Sequence, residues 1–464
     1  MDKRELCYLD IARLGQLYRS GEVSPVEATQ AVLERIHALD GRLNAFITVL
    51  DEPALASARQ ADADLRAGLD RGPLHGVPVS LKDLIDTAGV RTTCASPIRR
   101  DYVPQHSATV VQRLEDAGAV LVGKCNLLEF AYGIVHPDFG QCNNPWDPSR
   151  TAGGSSSGSC ASVSAGMGYG SLGTDTGGSI RIPASYCGVV GFKPTYGRVS
   201  RQGVFPLSWS LDHVGTLTRS VEDAAILLAA VAGADPFDPT CSTWPVLDYR
   251  SFLNRDVRGL RLGVIEQHMT GADLRPGVAE AAAAAVSELE KAGMIIKKIH
   301  LPSLEGADAA LLLAILPEGT LVHETWLRER PQDYAEMTRQ QLETGALIPA
   351  VDYVRAQQFR ARLLRECLTA LQDVDVLVNP TVAWEAPQED PSVAGGDGAT
   401  EARRTGPFNL TGLPAISVPC GFGPAGLPLG LQMIGAPYAE ALVLRVAHAY
   451  EKRAGWFRHH PSLD

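Results

Sequence analysis

A chain of 464 residues, 45% hydrophobic and 20% charged, is long enough to bury a large core and is ordinary in composition for a folded globular protein. Its formal net charge of −11 argues against nucleic acid as a partner, because phosphate binding needs a basic face; the charge reads as a solvating surface. Nine cysteines, an odd number with no C-x-x-C pair, argue against a disulfide framework or a zinc site and fit reduced thiols.

The N-terminus, MDKRELCYLDIARL, carries charges where a secretion signal needs an apolar run. No stretch of about 18 uninterrupted apolar residues follows, so the expectation is a cytoplasmic protein without a membrane span. Residues 8 to 70 read as helical: Leu9, Ile11, Leu14 and Leu17 recur at helical spacing, as do Ala31, Val32, Ile36 and Leu39. Ser24-Pro25 makes a helix start, with Ser24 as cap, and the alanine-rich stretch Pro53 to Ala67 predicts another helix. The first seventy residues are therefore expected to form a helical arm.

Beyond the arm the texture changes. Gly76-Val77-Pro78-Val79-Ser80-Leu81 predicts a short apolar strand running into Lys82-Asp83. Val110 to Ala117 reads as a helix and Ala119 to Val122 as a buried strand. Strands are expected again at Leu260 to Ile265, Val374 to Asn379, Ile416 to Val418 and Leu429 to Ile434, and helices over 277–293 and 350–372. Ser392 to Thr400 reads as a glycine-rich loop. The alternation predicts an α/β fold, a large mixed and mostly parallel sheet covered by helices on both faces, in a single domain spanning 1–464.

The informative segment is TAGGSSSGSCASVSAGMGYGSLGTDTGGSIR, Thr151 to Arg181. It contains Met167, Tyr169 and Leu172 and is flanked by sequence with folded character, so it is not a linker. No lysine follows its glycines as in a phosphate-binding loop, and G-x-G-x-x-G is absent. Two serines compete as nucleophile. Ser156, in Gly154-Ser155-Ser156-Ser157-Gly158, matches the G-x-S-x-G elbow of the α/β-hydrolase esterases, but the preceding NNPWDPSRTAGG is loop rather than strand. Ser179 follows Gly177-Gly178, and adjacent glycines let successive backbone N–H groups converge, as binding an oxyanion requires.

With these residues in view the chain resembles the amidase signature family, which includes the A subunit of glutamyl-tRNA amidotransferase and fatty acid amide hydrolase. Gly76 to Asp83 resembles the family's lysine strand, Gly153-Gly154-Ser155-Ser156 its relay-serine loop, and Gly173 to Arg181 its nucleophile loop. The likeness extends through Asn409-Leu410-Thr411-Gly412-Leu413-Pro414 and Gly430-Leu431-Gln432. It implies Ser179 as nucleophile, Ser155 as relay and Lys82 as base, a cis peptide between Gly154 and Ser155, and an oxyanion hole from the amides of Thr176, Gly177, Gly178 and Ser179. Asp175 and Arg181 flank the nucleophile and are expected to pair and hold its loop. A lysine is a base only when neutral, and burial behind the apolar run Val77 to Leu81 would depress its pKa.

The resemblance also places Tyr132, Gly133 and Ile134 in the acyl pocket, under a variable cap over about 305–350 whose Leu311, Leu312, Ile315, Leu316 and Trp326 are apolar. The expected activity is hydrolysis of C–N bonds in small or aryl amides, and by the same machinery carbamates (urethanes) or esters. The expected partner is a small-molecule amide or carbamate, with no metal or cofactor, in a monomer or homodimer. The alternative within the family is the glutamine-hydrolysing A subunit of a tRNA-dependent amidotransferase. Glutamine recognition wants an acidic group for the α-amine, whereas the stretch before Asn409, Ala402-Arg403-Arg404-Thr405, is basic.

Overall fold

Phe46-Ile47-Thr48-Val49, all aromatic or β-branched, interrupts the helices of the first seventy residues. In the computed structural model, which describes residues 1–391 and 400–463, these four residues form a strand rather than continuing the expected helical arm. The helices on either side are Lys3–Cys7, Ile11–Ser20, Pro25–Leu43 and Asp51–Arg66. Ser24 caps the third of them, accepting from the Glu27 amide while Glu27 reaches back, and Pro25 sits in its first turn. Of the loop expected over 392–400, residues 392–399 lie outside the described residues.

The strand from the arm, β1 (Phe46–Val49), joins a single sheet. Its other members are β2 (Pro78–Lys82), β3 (Val120–Cys125), β4 (Gly170–Asp175), β5 (Val190–Lys193), β6 (His213–Thr218), β7 (Arg261–Ile265), β8 (Ile295–Ile299), β9 (Val376–Pro380), β10 (Ala415–Phe422) and β11 (Pro428–Ile434). Among the described residues these eleven strands run in the order β1-β3-β2-β4-β6-β5-β10-β11-β9-β7-β8. Successive side chains of a strand point to opposite faces. Every residue of β2, β4, β5, β6, β9 and β11 is buried, so the sheet is covered on both faces.

The sheet is large and mixed as expected, but it is not mostly parallel. Four of its ten pairings are parallel and six antiparallel. The parallel pairs flank β2 and β7, where crossovers connect the strands. The antiparallel excess comes from the hairpin β10–β11 and from β6, which inserts between β4 and β5. At the edges, β8 exposes Lys297 and Lys298, charges that discourage pairing with another chain.

The helix Ala307–Glu329, with Glu336–Gly345 packed against it, forms the expected cap. The helical segment Pro302–Glu329, which contains this helix, is long and apolar enough to cross a membrane by length and composition alone. In this fold Leu311, Leu312 and Ile315 face the candidate site, while Leu321 is exposed.

Candidate active site

Lys82 ends β2, a strand buried along its whole length, and its side chain is 0% exposed. Three hydroxyls surround the ammonium nitrogen: Nζ lies 2.8 Å from Ser155 Oγ, 2.9 Å from Thr174 Oγ1 and 3.1 Å from Ser156 Oγ. Among the described residues no carboxylate pairs with it. Burial therefore pulls its pKa down to about 7, against the weaker upward pull of the Asp175 and Asp212 charges.

Two loops meet over this lysine. The loop expected to hold the relay serine carries a cis Gly154–Ser155 peptide and leads into the helix Ser157–Ser164. A Cβ on Gly154 would come within 2.1 Å of Leu128 Cδ1, so only glycine fits there. The loop that holds Ser179, the expected nucleophile, follows β4 and leads into the helix Arg181–Cys187. The Ser156 amide donates to the Ser179 carbonyl at 3.1 Å and so stitches the loops together. Gly178 has φ +145°, and a Cβ there would lie 2.3 Å from Thr405 Oγ1, so the turn that presents Ser179 requires glycine.

Ser155 and Ser179 line one cavity of about 90 Å³ together with Thr176, Gly177 and Gly178. Among the described residues, none of the amides of Thr176, Gly177, Gly178 and Ser179 donates to a protein acceptor. Ser155 Oγ is held by Lys82; Ser179 Oγ faces the cavity without a protein hydrogen bond among the described residues. Ser156 is placed differently. It is 0% exposed, accepts from Lys82 and donates to the Thr174 carbonyl at 3.0 Å, and no strand precedes it. It has neither the exposure nor the setting of an elbow nucleophile.

Asp175 and Arg181 form a fully buried two-pronged pair, Nη2 to Oδ1 at 2.8 Å and Nε to Oδ2 at 3.0 Å. Burial alone would raise the Asp175 carboxyl, but the Arg181 charge and hydrogen bonds, with Lys193 and Asn409, hold it well below the usual carboxylate range. Asp175 also accepts from the Ile180 amide at 3.1 Å, which folds the loop back on its own base. Asn409 and Gln432 complete the lock, each accepting from Arg181 at 2.6 Å. These two lie in stretches the sequence marks only by resemblance. Asp212, which accepts from Thr176 Oγ1 at 2.6 Å, carries no sequence signal at all.

One part of the cavity wall is apolar, formed by Leu128, Leu207, Leu311, Leu312, Ile315 and Ala402, and Gln341, Asp390 and Glu401 line it as well. Tyr132 and Gly133 line it as expected. Ile134 does not: it lines a separate surface depression with Val135, Gln141 and Asn143. The cause is local. Phe130, Ala131 and Gly133 all have positive φ, at 50°, 62° and 99°, and this turn carries Ile134 away. Leu316 is buried behind the cap, and Trp326 stacks with Phe130 and Phe205 outside the cavity wall.

The basic stretch also behaves differently from expectation. Arg403 pairs with Asp308 at 3.0 Å and Arg404 with Asp273 at 2.7 Å. Among the described residues, the acids that do line the cavity are Asp390 and Glu401. Burial raises them to about 6 and about 8, Glu401 further helped by the Asp390 charge. Asp390 accepts from Thr151 Oγ1 and Glu401 from the Tyr186 hydroxyl. A larger cavity, about 270 Å³, lies beyond Ala131 and Leu207, which line both. Among the described residues no group of three or more His, Cys, Asp or Glu is arranged to hold a metal ion.

A family model described as Amidase matches residues 27–444. The A subunit of the Moorella thermoacetica glutamyl-tRNA(Gln) amidotransferase is 42% identical over 489 residues, covering 99% of each chain. An amidase of Pseudomonas putida is 42% identical over 466 residues, covering 99% of this chain and 98% of its own. Among solved structures, the inhibitor-bound form of a vestigial protein complex that reveals the evolutionary origins of an s-triazine catabolic enzyme superposes with a TM-score of 0.90. It is 34% identical and covers 96% of this chain and 100% of that chain.

Proposed function

The chain belongs to the amidase signature family of C–N hydrolases, and from that premise we propose that it hydrolyses linear amides through an acyl-enzyme on Ser179. One observation carries the reading. Lys82 meets Ser155 at 2.8 Å, without a carboxylate partner among the described residues, beside a cavity that also holds Ser179 and four unengaged amides. Neutral Lys82 takes the Ser155 proton as Ser155 takes that of Ser179, and Ser179 Oγ attacks the carbonyl carbon. The carbonyl oxygen gains the electron pair and is held by the amides of Thr176, Gly177, Gly178 and Ser179. Collapse breaks the C–N bond, and the proton returns through Ser155 to the departing amine. Water then cleaves the acyl-enzyme ester with the proton moving along the same path.

The apolar wall supports an uncharged acyl group, aryl or alkyl, cut from an amide or a carbamate by the isolated chain. A second reading, hydrolysis of glutamine to supply ammonia to a partner protein, is favoured by two observations. The amidotransferase chain of Moorella thermoacetica matches this chain at the same 42% as the Pseudomonas putida amidase, and Asp390 and Glu401 offer acids to an α-amine. Against it, among the described residues no lysine or arginine lines the cavity to meet the α-carboxylate of glutamine. Fluorophosphonate labelling followed by peptide mapping tests the chemistry: modification of Ser179 is expected, and modification of Ser156 would sink the scheme. Turnover of an aryl amide by the chain alone, with no ammonia from glutamine, separates the two substrate readings.

A further inference from the structure

The cap helix Ala307–Glu329 turns Leu311, Leu312 and Ile315 toward the acyl cavity, yet about one turn further on it buries a carboxylate. Glu318 is 4% exposed and fully engaged. It accepts from Ser208 Oγ at 2.5 Å, Ser210 Oγ at 2.7 Å, the Ser210 amide at 3.1 Å and the Tyr353 hydroxyl at 2.9 Å. A cap needing only apolar contact has no use for this, because a buried carboxylate must be repaid by good partners. The question is what the partners do.

Ser208 and Ser210 lie on the segment before β6. The amides of Leu207 and Ser208 donate to Asp212 Oδ2 at 2.9 and 3.0 Å. The other oxygen of Asp212 accepts from Thr176 Oγ1 at 2.6 Å. Thr176 supplies the first amide of the group assigned to the oxyanion. Arg360 braces the same segment, donating to Ser210 Oγ at 2.9 Å and to the Ser210 carbonyl at 3.0 Å. A continuous polar path therefore runs from Glu318 through Ser208, Ser210 and Asp212 to Thr176. It starts on the helix that forms the wall of the acyl cavity and ends on the loop that meets the reacting carbonyl.

We propose that Glu318 and Asp212 are positioning residues that tie the cap to the oxyanion-binding loop through Thr176, so that the acyl group seated under the cap sets the rate of the chemical step. This rests on the Ser179 acyl-enzyme reading. An oxyanion site works by donors held in place before the reaction, and a small misplacement is costly. Neither Glu318 nor Asp212 is among the residues that line the acyl cavity; their effect is on where the Thr176 and Gly177 amides sit.

The test is steady-state kinetics on an aryl amide, with fluorophosphonate labelling of Ser179 in parallel, for Thr176→Val, Thr176→Ser, Glu318→Gln and the Glu318→Gln/Thr176→Val double variant. Thr176→Val is expected to lower kcat about 10²-fold, the scale of a displaced oxyanion donor, with KM within about twofold. Thr176→Ser, which keeps the hydroxyl, should stay within about threefold of the wild type, and Glu318→Gln should lose about tenfold in kcat. Because the residues act along one path, the double variant should match Thr176→Val rather than multiply the two losses. Multiplied losses, a change confined to KM, or failure of serine to rescue position 176 would each overturn the coupling. Wild-type labelling at Ser179 alongside such a result overturns the coupling alone; no labelling at Ser179 overturns the acyl-enzyme reading with it. Thr176→Val keeps the shape of threonine without its hydroxyl and Thr176→Ser keeps the hydroxyl, so the comparison at position 176 stands even if Glu318→Gln is poorly folded.

Discussion

Two lysines on neighbouring strands face opposite fates. Lys82 on β2 and Lys124 on β3 are both 0% exposed, and the parallel register places Leu81 beside Lys124 and Lys82 beside Cys125. Lys124 has a carboxylate within reach, Asp83 at 3.4 Å, and donates to Thr92 Oγ1 and the Ile85 carbonyl. Among the described residues Lys82 has only hydroxyls as hydrogen-bond partners. Burial lowers the pKa of both, but Lys124 is pulled back first by the Asp83 charge beside it. The difference teaches that burial by itself does not make a base; what sets Lys82 apart is the missing counter-charge together with a serine hydroxyl in hydrogen-bond reach. One lysine holds the end of β2 in place, and the other is left free to take a proton.

Breaking the comparison on the chemical side gives the largest effect. Lys82→Ala is expected to lower kcat about 10⁴-fold while the folded state persists, measured as turnover of an aryl amide with circular dichroism as the control. Activity near the wild-type level would refute the lysine mechanism. Breaking it on the structural side should show in stability instead. Lys124→Met leaves Asp83 buried without its cation and should cost about 3–5 kcal/mol, read from the urea midpoint, with the pH profile of the remaining activity unchanged. If Lys124→Met instead abolished turnover in a stable protein, the division of labour between the two lysines would fail.

The pH profile sharpens the contrast. The proposed mechanism needs neutral Lys82, so kcat/KM should rise with pH through an acid limb near 7, and the enzyme should lose activity as pH falls below it. An acid limb near 4 would assign the base to a carboxylate. Thr174→Val gives the smallest change. It removes one acceptor that favours the ammonium, so the limb should move to lower pH, by about half a unit, with a modest loss in kcat. A limb moving upward would mean Thr174 stabilises the neutral amine.

The three parts of the site were readable because each has a local signature: an apolar run ending in lysine, a glycine-serine loop, and Gly177-Gly178 before Ser179. The strand that joins them was not. β4 is Gly-Ser-Leu-Gly-Thr-Asp, poor in strand-forming residues, and it is a strand because β2 and β6 pair with it on both sides. β1, by contrast, has strong strand propensity in Phe46 to Val49, and the helical periodicity around it concealed that signal. Ile134 shows a third kind of failure. Its neighbours Tyr132 and Gly133 reach the cavity, but side-chain direction after a run of positive φ cannot be counted along the sequence. The basic Arg403-Arg404 stretch misled for a similar reason, since Asp308 and Asp273, which turn it away from the cavity, lie about a hundred residues earlier.

The sequence alone determined the family, the serine and lysine chemistry proposed here and the glycines that chemistry needs, because steric and backbone requirements are local and leave fixed marks. Tertiary structure alone decided which lysine stands without a carboxylate, which acids line the acyl cavity, and that Asp212 and Glu318 link cap to loop. Those are matters of charge and hydrogen bonding over a few ångströms. The residues that meet there come from segments tens to hundreds of positions apart, whose neighbourhood exists only once the sheet has formed.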